Sequence, residues 1–141
     1  KAYVQKTNKN GRIHLKIKAK PGKYSIKLNY KGSGTYINAI KSITIKSYDA
    51  KTTISLDSKK IYRGKYLRIN LLYNTKKILS NKKLTIKFAG KTYKRTSNKN
   101  GKAYLKISQS AGTYKINIKF DGSIGFKKSN FTGKIKIIIF L

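Results

Sequence analysis

The chain repeats its own sequence ninety residues later. The matched motifs are Asn8-Lys9-Asn10-Gly11 with Asn98-Lys99-Asn100-Gly101, Leu15-Lys16-Ile17 with Leu105-Lys106-Ile107, and Gly22-Lys23-Tyr24-Ser25-Ile26 with Gly112-Thr113-Tyr114-Lys115-Ile116. A long repeat made of strand and turn signals is typical of tandem β-domains. We therefore predict a complete domain over residues 48–141 and the C-terminal half of a like domain over residues 1–47.

Nearly every segment alternates apolar and polar residues, which is the period of a strand with one buried face. Leu84–Phe88 and Tyr114–Phe120 show the pattern over five and seven residues, and no stretch has a helical period. In the second copy we predict seven strands, near 51–56, 66–73, 84–88, 91–96, 103–108, 113–120 and 134–140. Short strands at this spacing predict an all-β, immunoglobulin-like β-sandwich, in which the first copy of the tandem repeat is incomplete.

Two pairs of structural residues recur in both copies. Gly11 and Gly101 each follow an asparagine between alternating segments, which predicts two-residue type I′ hairpin turns with positive φ at both positions. Tyr24 and Tyr114 begin a strand where immunoglobulin-like sandwiches place a corner tyrosine, whose hydroxyl bonds back to the main chain. We assign these tyrosines a structural role.

The charge of the chain is extreme, with 35 Lys and Arg against 3 Asp and Glu, a formal net charge of +32. Lysine-rich composition arises in AT-rich coding sequences, but that bias does not explain the complete absence of glutamate. Such a chain attracts polyanions over a Debye length of about 8 Å in physiological salt. Only four residues are arginine, and lysine lacks the planar fork that reads bases, so we expect no specific nucleic-acid recognition.

Lysines interleave with apolar residues on several strands and cluster in pairs in the loops. The candidate positions for diffuse polyanion binding are Lys59, Lys60, Lys76, Lys77, Lys82, Lys83, Lys115, Lys119, Lys127, Lys128, Lys134 and Lys136. The alternative to binding is a structural role for these lysines, because lysine on strands blocks edge-to-edge aggregation. The partner that we expect is an anionic cell-wall polymer or surface glycan.

Groups for catalysis or metal binding are scarce. His14, Asp49, Asp57 and Asp121 are the complete set of histidine and acidic residues, and the chain has no cysteine. There is no Ser/His/Asp set, no carboxylate pair and no metal-ligand spacing. We expect a non-catalytic protein with no catalytic residue, cofactor or metal, in which His14 lies on the solvent face of a strand.

Several short motifs of the second copy are shared with a known group of repeats. They are Thr52-Thr-Ile-Ser-Leu56, Tyr62-Arg-Gly64, Lys83-Leu-Thr-Ile-Lys-Phe88, Ala111-Gly-Thr-Tyr114 and Phe120-Asp-Gly122. In these motifs the chain resembles the Ig-like repeats of bacterial and archaeal surface adhesins. In its Lys, Asn, Ile and Tyr bias it is similar to adhesin-like proteins of methanogenic archaea with pseudomurein walls. The resemblance implies an extracellular place on a cell surface or wall, although such repeats usually carry more acidic residues.

Two covalent modifications are compatible with a surface domain of this kind. Some Ig-like surface domains form a Lys–Asn isopeptide bond with the help of an acid, for which Asp57 and Asp121 are the candidates. Asn130-Phe131-Thr132 matches the acceptor pattern for N-glycosylation and lies in a predicted loop.

The sequence leaves three function classes open. The preferred one is an adhesive or structural stalk or filament module, whose incomplete first repeat is either completed by another chain, through strand addition or domain swapping, or belongs to a longer polypeptide. The others are a basic nucleic-acid- or virion-associated protein and a mechanical spacer whose charge is incidental. The longest apolar run, Ile137–Leu141, is far shorter than the roughly 20 residues that span a bilayer, so we expect no membrane insertion by this segment.

Overall fold

The computed structural model describes all 141 residues and contains eleven strands and no helix, which confirms the all-β fold class. The chain divides into two compact units, Lys1–Tyr48 (unit 1) and Asp49–Leu141 (unit 2). Unit 1 contains β1 (Gly22–Tyr30) and β2 (Ala39–Ser47). Unit 2 contains β3 (Thr52–Leu56), β4 (Lys60–Tyr62), β5 (Tyr66–Tyr73), β6 (Lys77–Ile78), β7 (Lys83–Phe88), β8 (Lys91–Thr96), β9 (Lys102–Lys106), β10 (Gly112–Phe120) and β11 (Ser129–Ile138).

Unit 2 is built from two sheets. The larger has the strand order β4-β11-β10-β7-β8, with β4 parallel to β11 and the other pairs antiparallel. In the smaller sheet β3 pairs with one edge of β5, while β6 and β9 pair with its other edge. Of the seven long strands, the first, second and fifth thus form one sheet, and the third, fourth, sixth and seventh form the other. This is the division of an immunoglobulin-like sandwich, except that the fourth strand pairs with the third.

The two sheets share one apolar core, because alternate side chains of each strand point to the same face. In β10 the inward positions are Ile116, Ile118 and Phe120, each no more than 3% exposed. The sixteen buried apolar residues are Ile54, Leu67, Ile69, Leu71, Leu79, Leu84, Ile86, Phe88, Ala103, Leu105, Ile107, Ile116, Ile118, Phe120, Ile135 and Ile137. The outward positions of the same strands are left for polar side chains.

The seven predicted strands of unit 2 are present, with differences at their ends. The predicted start of the last strand, near residue 134, was wrong, because β11 begins at Ser129 and pairs with β10 along nine positions. Phe131 points inward against the core, which extends the alternation into a segment that reads as polar. Sequence patterning missed β4 and β6, which have only three and two residues and show no period of their own.

The predicted type I′ turn at Asn100-Gly101 was wrong. Gly101 has a φ of +69°, but Asn100 is not among the residues with positive φ. The Gly101 N–H donates to the Asn98 carbonyl (2.9 Å), and the Asn98 side-chain oxygen accepts from the N–H groups of Asn100 (2.9 Å) and Lys102 (3.1 Å). These side-chain bonds favour a type I turn that is followed by glycine in the left-handed region. The turn at Asn8–Gly11 has the same bonds, and Gly11 has a φ of +70°.

Gly101 also sits where a side chain has no room, which predicts a large effect of substitution. A Cβ there would lie 2.7 Å from Ile78 Cγ2 and 3.0 Å from the Leu71 carbonyl oxygen. Gly101→Ala should therefore lower the free energy of unfolding of unit 2 by about 2–4 kcal/mol, the sum of left-handed strain and overpacking. Gly90→Ala is the matched control, because Gly90 has a φ of +74° and nothing within 4 Å of its Cβ position. Equal losses in urea denaturation would show that the close approach at Gly101 is not present in solution.

Unit 1 is a single antiparallel hairpin, β1–β2. Each of its nine residue pairs recurs ninety positions later in β10–β11, as Gly22↔Ser47 does in Gly112↔Ile137. The predicted strand at Leu15–Ile17 was wrong, since residues 1–21 lie in no strand. The equivalent strand of unit 2, β9, pairs with β5, and unit 1 has no counterpart of β5 with which residues 12–16 could pair.

Candidate polyanion-binding face

The outer face of the five-stranded sheet is mostly polar because apolar and polar residues alternate along its strands. In β10 the outward residues are Thr113, Lys115, Asn117 and Lys119, between the buried apolar positions. Because each neighbouring strand alternates in the same way, polar side chains from all five strands are brought onto one surface.

Eight lysines lie on this surface, which we call the basic face. They are Lys60 of β4, Lys83 and Lys87 of β7, Lys94 of β8, Lys115 and Lys119 of β10, and Lys134 and Lys136 of β11. Each of them is exposed. The remaining outward positions are threonines and asparagines, apart from the neighbouring pair Tyr62 and Ile138 at the end of β4 and β11.

No carboxylate on the five strands neutralises the lysines of the basic face. The five strands contain no Asp or Glu. Lys115 is the direct cross-strand partner of Lys134, and Lys136 is that of Lys60. Like charges at directly opposite positions destabilise a sheet. Binding of an anion would relieve that repulsion, so the face is electrostatically suited to a ligand with several negative charges.

Asn130 lies on the basic face and not in the predicted loop, since it belongs to β11. It is exposed, and its side-chain oxygen accepts a hydrogen bond from Asn117 Nδ2 (2.9 Å), which also donates to Thr132 Oγ1 (3.0 Å). The candidate glycosylation site is therefore a strand residue whose amide is engaged by its neighbours.

The structure brings together half of the twelve lysines predicted from the sequence. Lys60, Lys83, Lys115, Lys119, Lys134 and Lys136 are on the basic face. The other six lie elsewhere: Lys59 precedes β4, Lys76 lies in the turn before β6, Lys77 lies in β6, Lys82 precedes β7, and Lys127 and Lys128 lie between β10 and β11.

The set predicted from the sequence lacks Lys87 and Lys94. Lys87 alternates with Ile86 and Phe88, and this pattern could have added it to the set. The position of Lys94 follows only from its pairing with Thr85 across β7 and β8, where its Nζ donates to Thr85 Oγ1 (3.1 Å).

The outer surface of the smaller sheet joins an acid, an amide and an amine that are far apart in sequence. Asn70 Nδ2 donates to Asp57 Oδ1 (2.6 Å), and Lys102 Nζ donates to Asn70 Oδ1 (2.7 Å). Asp57 Oδ2 also lies 3.4 Å from Lys102 Nζ and 4.0 Å from Arg68 Nη1. The hydrogen bond from Asn70 has the largest effect and lowers the pKa of Asp57. Burial, the second-largest effect, opposes it, while the charge and hydrogen bond of Lys102 and the charge of Arg68 lower the pKa further.

The trio contains the three groups of an isopeptide site, but its environment does not favour the reaction. Amide formation between Lys102 and Asn70 needs an uncharged amine and a carboxyl group that moves the proton of the amine to the amide nitrogen of Asn70, which leaves as ammonia. The side chains of Asp57 and Lys102 are 37% and 32% exposed to water, and the lowered pKa of Asp57 makes it a weak base. We interpret the trio as a hydrogen-bonded network that ties β3, β5 and β9 together. Asp121, the other candidate acid, takes part in neither of the two ion pairs.

The lowered pKa of Asp57 predicts a small dependence of stability on pH. A carboxyl group whose pKa is lower in the folded state stabilises the fold above its unfolded pKa, and this contribution disappears as the pH falls through the folded pKa. Unit 2 should lose less than about 1 kcal/mol between pH 6 and pH 2, because the group is exposed to solvent. Thermal melting of Asp57→Asn should show a smaller loss over the same range. An unchanged pH dependence in that variant would contradict the assignment.

The remaining candidate residues are His14 and the possible ligands of a metal ion. His14 is exposed as predicted, but its predicted place on a strand was wrong, because it lies outside any strand. No three His, Cys, Asp or Glu side chains gather where they could hold a metal ion, and no helix is long and apolar enough to cross a membrane. Lys65, Tyr66, Arg68 and Tyr104 line an open groove on the smaller sheet.

The two corner tyrosines make equivalent hydrogen bonds. Tyr114 Oη donates to the Ser110 carbonyl (3.0 Å), and Tyr24 Oη donates to the Lys20 carbonyl (2.8 Å). Each bond reaches back four residues and anchors the start of a strand to the preceding loop.

Comparison with known proteins gives no family. No family model matches the chain, and no curated protein matches it in sequence. Among solved structures, the chain is similar to the adhesin InvE of Yersinia pseudotuberculosis, with a TM-score of 0.38 and 13% identity over 82% of this chain and 40% of that one. It is also similar to domains 4 and 5 of the S-layer protein SbsC, with a TM-score of 0.35 and 11% identity over 84% of this chain and 65% of that one.

These two likenesses are remote, and the chain spans less than two thirds of each structure. At these TM-scores they do not bear on what this chain binds. The resemblance to adhesin-like proteins of methanogenic archaea stays a prediction.

Proposed function

We propose that the chain is a non-catalytic structural and adhesive module of a cell surface, whose basic face binds an anionic cell-wall polymer or surface glycan. The observation that supports this most directly is the gathering of eight lysines, without any carboxylate, on the outer face of one sheet. A scattered excess of lysine would solubilise the protein equally well without placing like charges at directly opposed positions.

The geometry suits an extended ligand. Five strands at about 4.8 Å spacing make a surface roughly 19 Å across, wide enough to meet several negative groups of one polymer. Each exposed contact contributes no more than about 1 kcal/mol, so the binding depends on several contacts made together. Lysine ammonium groups are compact point charges, so they select for charge density and not for base identity.

Binding of a defined polymer tests the proposal. Polygalacturonate, a uronic acid glycan, is titrated into the full chain in 0.15 M salt, with neutral dextran as the control. We expect saturable binding of polygalacturonate that weakens strongly in 0.5 M salt, since screening at higher ionic strength acts on exposed charges. No binding of polygalacturonate, or equal binding of dextran, would overturn the proposal.

Single-stranded DNA in the same assay addresses the nucleic-acid alternative. Every strongly basic protein binds DNA to some extent at low salt, so weak and salt-sensitive binding is expected here as well. Saturable binding of one DNA sequence that persists in 0.5 M salt would favour a nucleic-acid-associated protein instead. Labelling of intact source cells with an antibody tests the surface location independently.

A further inference from the structure

Unit 1 exposes the side chains that unit 2 buries at the same positions of the repeat. Leu28 is 40% exposed, whereas its equivalent Ile118 is 0% exposed, and Ile17 is 47% exposed against 0% for Ile107. No residue of unit 1 is buried. The uncovered face comprises Tyr24, Ile26, Leu28, Tyr30, Ile43 and Ile45 of the hairpin, of which Ile26 and Ile45 are half-buried and the others exposed. Ile13, Leu15 and Ile17, which precede the hairpin, are likewise exposed or half-buried, although their equivalents in unit 2 are buried.

Unit 2 shows what covers a face of this kind. Residues 49–90, which we call the covering segment, supply eight of the sixteen buried apolar residues of unit 2. They also supply the strands that pair with the second half of the unit: β5 pairs with β9, β7 pairs with β8 and β10, and β4 pairs with β11.

The main chain of unit 1 is open at the corresponding places. β1 pairs only with β2, so the edge that matches the β7-paired edge of β10 has no partner. Residues 12–16, which match β9, lie in no strand. Unpaired strand edges together with an exposed apolar face are a template for pairing with another segment.

We propose that unit 1 is a docking site for a polypeptide segment with the strand pattern of Asp49–Gly90. On binding, the equivalent of β7 pairs with β1, and the equivalent of β5 pairs with residues 12–16, which become a strand. The apolar side chains of the segment then cover Ile26, Leu28 and Ile45. The inference deepens the structural part of the proposed function by naming the partner of the module, and it does not depend on binding of an anionic polymer.

A second copy of this chain has no spare covering segment to offer. Each copy has one covering segment, and that segment already forms half of the core of its own unit 2. Exchange of the segment between two copies would cover one face and uncover an equivalent one, with no net gain of buried surface. The occupant is therefore an additional segment of the same type.

Hydrogen exchange of the full chain with a synthetic Asp49–Gly90 peptide tests this proposal. We expect one peptide to bind per chain, with at least tenfold slower exchange in β1 and in residues 12–16, and unchanged exchange in β10. A control peptide with Leu67, Ile69 and Ile86 replaced by serine should give no protection. A chain with Ile26→Ser and Leu28→Ser should keep unit 2 folded and no longer bind the peptide.

Three outcomes would overturn the proposal. They are the absence of protection in unit 1, equal protection by the control peptide, and protection in the free chain that rises with protein concentration, which would identify a second copy as the occupant. Polygalacturonate binding, measured on the same samples, reports on the basic face alone, so either result can fail without the other.

Discussion

Ile118→Ala is expected to lower the free energy of unfolding of unit 2 by about 2–5 kcal/mol, since it removes a fully buried side chain and leaves a cavity between the two sheets. For a domain of this size, even the lower figure shifts the melting temperature by roughly 10 °C. Calorimetry and urea denaturation followed by circular dichroism measure both quantities.

The repeat itself provides the control for this substitution. Leu28 occupies the position of Ile118 in unit 1 but is 40% exposed, so Leu28→Ala should leave every cooperative transition unchanged. If both substitutions destabilise the protein equally, the face of unit 1 is covered in solution. The comparison shows whether burial, and not the sequence motif, determines the energetic importance of the position.

The second large effect concerns binding. Replacing Lys87, Lys115, Lys119 and Lys134 by glutamine removes four neighbouring charges from the centre of the basic face, on strands β7, β10 and β11. At a few tenths to 1 kcal/mol for each of the four exposed contacts, polygalacturonate should bind about 10- to 1,000-fold more weakly in 0.15 M salt. Isothermal titration calorimetry measures the change directly.

A variant of equal charge separates the basic face from general attraction. Lys51, Lys65, Lys76 and Lys99 are exposed lysines of unit 2 that lie in no strand. Their replacement by glutamine lowers the net charge by the same amount but should weaken binding less than about threefold. Equal weakening in the two variants would mean that the polymer responds to total charge and that the basic face has no special role.

Much of the fold could be predicted from the sequence, because the alternation of apolar and polar residues indicates both where the strands lie and which of their side chains are buried. Leu84, Ile86 and Phe88 alternate with polar residues, and all three are buried as the pattern predicts. The type of the turn at Asn100-Gly101 could not be predicted from the sequence, because this pair of residues fits two turn types. The hydrogen bonds that the Asn98 side chain accepts decide between them. The short β4 and β6 are defined by their partners and have no signal of their own.

The candidate site could be predicted only in part, because it depends on which strands become neighbours. Lys115 and Lys119 follow from local alternation, but the opposition of Lys115 and Lys134 requires the register of β10 and β11. The contacts of Asp57 with Asn70 and Lys102 likewise need the pairing of β5 with β3 and β9. Such non-local information is absent from periodicity.

The most direct test of the account is to map the polymer on the protein. Backbone amide shifts of the isotope-labelled chain are recorded during titration with polygalacturonate in 0.15 M salt. The account predicts that the largest changes fall in β7, β10 and β11, with small changes in β3, β5 and β9. Changes of equal size on both sheets and in unit 1, or changes centred on the groove at Tyr66 and Tyr104, would contradict it.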